Sequence, residues 1–160
     1  MSNGHPFAPE SVGRTTQIIA GALIMGAVVF GGFAFIAVQT GEGLPPQFPM
    51  ISVLAAGFAL MATLMRFVVP MIIVNSAKSQ LLEADESERP NRLAALYQTK
   101  TIIGFALLEG AAFFNLLAYI SEKQLWSYGV VAFLLGVMAI SFPSQGQFES
   151  WAEEMKRDLN

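Results

Sequence analysis

The sequence predicts an all-α integral membrane protein: a four-helix bundle followed by a C-terminal amphipathic helix. Three observations predict it. Hydrophobic residues make up 54% of the chain and charged residues only 13%, about half the roughly 25% charged content of soluble domains. Four apolar runs, spanning about 18–38, 50–74, 101–121 and 125–142, have the length a helix needs to cross a hydrocarbon layer of about 30 Å. The final stretch places its apolar residues at helical spacing between charged ones.

The totals set the limits. With 160 residues, there is room for one small membrane domain over 17–143, a polar N-terminal tail over 1–16 and a cytoplasmic tail over 144–160. The net charge of -3 offers no basic footprint for nucleic acid. Cysteine is absent, so disulfides and thiolate ligands are excluded. The single histidine, His5, lies in the polar tail, which leaves no buried imidazole for a b-type haem. No cofactor and no metal are expected.

The N-terminal tail, MSNGHPFAPESVGRTT, shows no periodicity and reads as a surface-lying or disordered segment. Cleavable signal peptides have short apolar cores, and the run Ile18–Val38 is too long for one. This first span contains no polar side chain. Ala20, Ala27, Gly31 and Ala34 share a stripe on it, and small residues let helix backbones approach closely in lipid. Gln39–Pro49, QTGEGLPPQFP, ends the helix with glycines and prolines.

The second span, Met50–Val74, carries Ser52, Ala55, Ala59, Ala62, Thr63 and Arg66 on one face. Arg66 thus shares the small-residue face that meets another helix. Pro70 deprives the Arg66 carbonyl of its intrahelical donor, which predicts a kink. Asn75–Lys100 is a charged connection. Its acidic group, Glu83, Asp85, Glu86 and Glu88, lacks EF-hand spacing and reads as solvated. Pro90 suits the first turn of a helix. Leu93, Leu96 and Tyr97 then repeat at helical spacing, so the third helix is expected to begin about two turns before the membrane.

The third span is apolar from Ile102 to Ile120 except for Glu109 and Asn115. The fourth, Leu125–Phe142, opens with Trp126 and Tyr128, where an aromatic belt belongs. Gly129, Ala132, Gly136 and Ala139 form a second small-residue stripe. In the tail, Phe148, Trp151, Met155 and Leu159 lie on one side and the charges elsewhere. This is the pattern of a helix docked on its own bundle or on a partner.

Positive charge sets the orientation. With four spans, Arg14, Lys78, Arg89, Arg92, Lys100, Lys156 and Arg157 fall on one side and Lys123 on the other. Both termini are therefore expected in the cytoplasm, with the chain in the plasma (inner) membrane.

Arg66 and Glu109 are the charged residues inside the four spans. Each costs about 2.5–3.5 kcal/mol to insert alone. Counted from the ends of the apolar runs, Arg66 lies about 12 Å and Glu109 roughly 10–11 Å from the cytoplasmic side. This predicts an Arg66–Glu109 ion pair. Such a pair can fix helix register without chemistry, or its carboxylate can work. Asn115 lies about 120° around the helix from Glu109 and suits an interhelical hydrogen bond better than a ligand site.

Arg89–Pro90, Thr101, Ile103–Gly104, Ala106–Leu107 and Glu109, with the apolar run that follows, give residues 89–121 a local resemblance to subunit c of rotary F-type ATP synthases. In that family a polar loop with an Arg-x-Pro motif precedes a helix reading roughly I-G-x-A-L-x-E. The resemblance implies an ion-carrying role for Glu109. The chain departs from the pattern in four ways: no residue separates Arg89 from Pro90, Gly57 is the only glycine within 50–74, Arg66 occupies the preceding helix, and there are two further spans. These departures argue against a rotor subunit.

Enzyme chemistry finds no support, with no His/Cys cluster, activated-serine motif or phosphate-cradling glycine loop. The expected function is a structural or accessory component of a membrane assembly. Its partners would be the bilayer and either further copies of itself or another membrane protein. The alternative is a proton- or ion-translocating subunit using Glu109. A small-molecule exporter is a third reading, but four-span exporters carry their carboxylate in the first helix, and helix one here has none.

Overall fold

A computed structural model describes residues 9–40, 48–83, 85 and 88–159. Expectations for residues 1–8, for most of the 39–49 loop and for Glu86 lie outside the described residues. Helices account for almost all of what is described: α1 Pro9–Thr40, α2 Met50–Leu82, α3 Arg89–Glu122, α4 Leu125–Ile140 and α5 Gln145–Leu159. The first three contain segments long and apolar enough to cross a membrane.

The first three helices outrun the apolar segments from which they were expected. α1 starts at Pro9 rather than after Thr16. A proline is tolerated in a first turn because its missing N–H is not needed there. About two turns further, Thr16 is fully buried, and Gln17 Nε2 donates to the Pro143 carbonyl at 3.2 Å, which ties α1 to the segment just after α4. α2 continues past Val74 to Leu82, since NSAKSQLL offers no helix breaker. α3 starts at Arg89 with Pro90 in its first turn, about three turns before Thr101 rather than two. α4 stops at Ile140 ahead of Pro143, shorter than the expected 125–142. Its 16 residues extend about 24 Å, less than one hydrocarbon thickness.

α3 is the centre of the fold and packs against α1, α2 and α4. Side-chain pairings set the directions. A Cβ on Gly26 or Gly31 of α1 would meet Glu109 or Leu116 of α3, so α1 and α3 run parallel. Arg66 meets Gly104 while Asn115 meets Ala55, so α2 is antiparallel to α3. Tyr119 meets Tyr128 in a tilted pair (ring centroids 5.2 Å) across a two-residue turn, so α4 is antiparallel as well. Lys123 makes that turn with φ 55° and donates its N–H to the Tyr119 carbonyl at 2.8 Å, closing the end of α3.

Small residues make the close interfaces. Ala20, Ala27 and Ala34 of α1 are buried at heptad spacing, and Ala55, Ala59 and Ala62 of α2 are buried likewise. Without large side chains between them, the backbones approach α3 closely enough for dispersion to hold them. α4 behaves differently. It buries Ser127, Val131, Leu134 and Met138, while Gly129, Ala132, Gly136 and Ala139 face outward. Large apolar side chains such as Ile36, Leu60, Phe67 and Phe133 are more than half exposed. That pattern suits a lipid-facing surface, where apolar exposure carries no hydration cost.

A second apolar cluster sits beyond the membrane-length core. Leu81, Leu93, Leu96 and Met155 bury one another, with Trp151 packed against them. It joins the end of α2, the start of α3 and α5. α5 begins with a reciprocal cap: Gln147 N–H donates to Ser144 Oγ at 3.3 Å, and Ser144 N–H to Gln147 Oε1 at 3.4 Å. Each bond satisfies a donor that the helix start leaves open.

Candidate functional site

The three polar residues singled out inside the spans occupy three different places. No ion pair within 4.0 Å joins Arg66 to Glu109 among the described residues, so the expected neutralisation is not made. Arg66 lies against α3 at Gly104, where a Cβ would stand 3.5 Å from Arg66 Cγ. Glu109 points to α1, where a Cβ on Gly26 would stand 3.2 Å from Glu109 Oε1. The α3 positions that mark these contacts, 104 and 109, are about 140° apart around the helix and about 7.5 Å apart along it. The central helix separates the two charges.

Asn115 is fully buried in the α2–α3 interface. Its Nδ2 donates to the Ala55 carbonyl across the interface and to the Ala111 carbonyl on its own helix, both at 2.9 Å. Both partners are acceptors, which fixes the orientation of the amide. Ala55 is small enough to let the amide reach the backbone.

Sequence reasoning missed Glu122. The last residue of α3, it is 5% exposed and accepts hydrogen bonds from the N–H groups of Ile51 and Ser52, both at 2.8 Å. These are donors of the first turn of α2, which have no intrahelical acceptor. The residue before α2 is Pro49, which has no side-chain oxygen to cap with. A carboxylate from the neighbouring helix takes that place, at the positive end of the α2 dipole. The signal was available in principle: an apolar helix starting directly after a proline needs an acceptor from elsewhere.

At the opposite end, α2, α3, the end of α4 and α5 line an open cavity of about 290 Å³. Two cations line it, Arg66 and Lys100. Phe67, Tyr97, Phe105 and Trp151 supply aromatic walls, and Thr101, Ser141 and Gln147 add polar groups. Lys100 Nζ stands 3.9 Å from the centroid of the Trp151 ring and 4.9 Å from that of Tyr97, within cation–π range. Arg66 Cζ is 5.7 Å from the centroid of the Phe67 ring. No carboxylate lines the cavity, although Glu154 on α5 exerts an attractive field on Lys100.

This cavity unites residues that the sequence placed in separate elements. Lys100 read as the end of a loop and Trp151 as the apolar face of a tail. Only the docking of α5 onto α3 brings them together, through Tyr97, whose ring centroid lies 5.1 Å from that of Phe148 and 5.5 Å from that of Trp151. Chemically, the arrangement sets two cations among aromatic and neutral polar side chains. Among the described residues no group of three or more His, Cys, Asp or Glu side chains is arranged to hold a metal ion.

Comparison of the chain with protein-family models, with curated proteins and with solved structures finds no match in any of the three.

Proposed function

We propose that the chain is a multi-pass membrane protein that serves as a structural or accessory component of a membrane assembly. In this reading α4 completes a four-helix bundle by crossing a locally thinned bilayer, since a short span is accommodated at modest cost. α5 lies as an amphipathic helix at the cytoplasmic face. Both termini are cytoplasmic, because α1, α2 and α3 carry Arg14, Lys78, Arg89 and Arg92 toward the same end.

The observation that carries this reading is the outward face of α4. Gly129, Ala132, Gly136 and Ala139 are exposed, and a Cβ on either glycine would touch nothing within 4 Å. The comparable faces of α1 and α2 are consumed inside the bundle. An unoccupied small-residue face on a membrane helix is suited to close packing with another helix. Native mass measurement in a gentle detergent tests it. The expected result is a species heavier than one chain that Gly136→Leu dissociates. A wild-type protein that runs as a single chain with nothing co-purifying overturns the proposal.

A second reading is favoured by the separation of Glu109 from Arg66. A carboxylate with no ion-pair partner among the described residues is not held ionised by a neighbouring guanidinium and is free to carry a proton or ion. In that case dicyclohexylcarbodiimide should label Glu109, and the labelling should fall as pH rises. A Glu109 inert to the reagent at every pH eliminates this reading.

A further inference from the structure

We propose that the cavity between α2, α3 and α5 binds the phosphate of an anionic phospholipid headgroup, with Arg66 and Lys100 as its cationic contacts. Four features of the site converge on that chemistry. Its two charged lining residues are both positive, and no acidic side chain lines the wall. Neither cation has an ion pair within 4.0 Å among the described residues; Lys100 feels Glu154 only as a more distant field, and a bound anion would contact both cations directly. Gln147 and Ser141 add neutral donors of the kind that complete a phosphate contact set.

The fourth feature separates a lipid from a free anion. Phe67 lines the cavity yet is 66% exposed on the outer surface of α2, with Met71 one turn further also 64% exposed. The cavity therefore opens along a face where acyl chains lie, rather than only toward water. Lys100 stands where the polar first three turns or so of α3 give way to its apolar part, and Arg66 lies beside Gly104 about one turn further along, so the charged wall descends toward the apolar layer. A phospholipid matches that gradient, with its headgroup at the cations and its chains along Phe67. Basic pockets between membrane helices hold anionic headgroups for this reason.

The full chain, purified in a mild non-ionic detergent, is titrated with phosphatidylglycerol, phosphatidylcholine or inorganic phosphate and examined by native mass spectrometry. The expected result is retention of phosphatidylglycerol in preference to phosphatidylcholine. Arg66→Gln with Lys100→Gln should weaken that preference roughly ten- to thirty-fold, at about one surface-charge contact per cation. Lys100→Arg should keep most of it. Equal retention of the two lipids by the wild type overturns the proposal without any variant, so a misfolded double variant cannot shield it. So does a phosphatidylglycerol preference that persists in a folded double variant. Displacement of the lipid by an equal concentration of inorganic phosphate overturns the headgroup assignment in favour of a free-anion site.

Discussion

Glu122 accepts the backbone N–H of Ser52 at 2.8 Å, although the two residues are separated by most of two helices. With the matching bond from Ile51, one carboxylate anchors the start of α2 to the end of α3. A hydrogen bond to an ionised acceptor is stronger than a neutral one, and the helix dipole adds to it. Glu122→Ala removes both bonds and should lower the thermal midpoint of the detergent-solubilised protein. Glu122→Gln keeps an acceptor without the charge and should lower it less. Amide exchange at Ile51 and Ser52 should quicken in both variants. Unchanged exchange at those two amides would mean that the cap does not hold α2.

Arg66 and Glu109 should behave as independent residues. They lie on opposite sides of α3, one at Gly104 and the other at Gly26. Groups that share no contact have additive effects to within about 0.3–0.5 kcal/mol, whereas paired groups couple by about 0.5–3 kcal/mol. The double variant Arg66→Gln with Glu109→Gln should therefore cost the sum of the two single changes in a denaturant titration of the membrane protein. A coupling well above 0.5 kcal/mol would restore the direct pair.

That separation shows what could be read from the sequence and what could not. Helical character and the apolar runs were legible because lipid demands long unbroken apolar segments. Depth was misjudged because it was measured from where each apolar run stops. The helices continue past those points, and the register is set where they turn. Arg66 lies sixteen residues before Leu82, the end of α2, and sixteen residues after Arg89, the start of α3, stands Phe105, next to Gly104. Counting from the turn would have set Arg66 beside Gly104 and not beside Glu109. The azimuth of Glu109 was not available at all, since it depends on which face of α3 receives α1. The small-residue stripe on α4 carried no sign of which way it faces. Ser127, Val131, Leu134 and Met138 are the buried residues of α4, and the small residues lie outside.

Asn115 offers a sharper test of the α2–α3 interface. Its amide gives two hydrogens to two carbonyls, so Asn115→Asp places a second acceptor where donors are required. Interhelical polar contacts in membranes average about 0.6 kcal/mol and reach about 1.7 kcal/mol. Asn115→Ala should cost about that much in a detergent unfolding titration. Asn115→Asp should cost more than the alanine change, since it substitutes repulsion for attraction. An aspartate variant as stable as wild type would show that the amide does not face Ala55 and Ala111.

α5 is held by few contacts, and its docking should be separable from the stability of the rest. Met155 is buried, Trp151 and Phe148 pack on Tyr97, and Lys100 lies over the Trp151 ring. An aromatic pair contributes about 0.5–1.5 kcal/mol beyond its burial, and a cation over a ring about 0.5–1 kcal/mol where exposed. Trp151→Ala removes one of each, so the undocked population of α5 should rise by roughly ten-fold or more. Cleavage of a locally open segment follows that population when closing outpaces the protease. Limited proteolysis should then cut within residues 145–159 about ten-fold faster in Trp151→Ala, and Trp151→Phe should fall between the variant and wild type. Because α1, α2 and α4 bury their own faces on α3, the unfolding midpoint of the bundle should move little. Equal cleavage rates in all three proteins would mean that the ring does not hold α5 to α3, and the cavity between them would lose its outer wall.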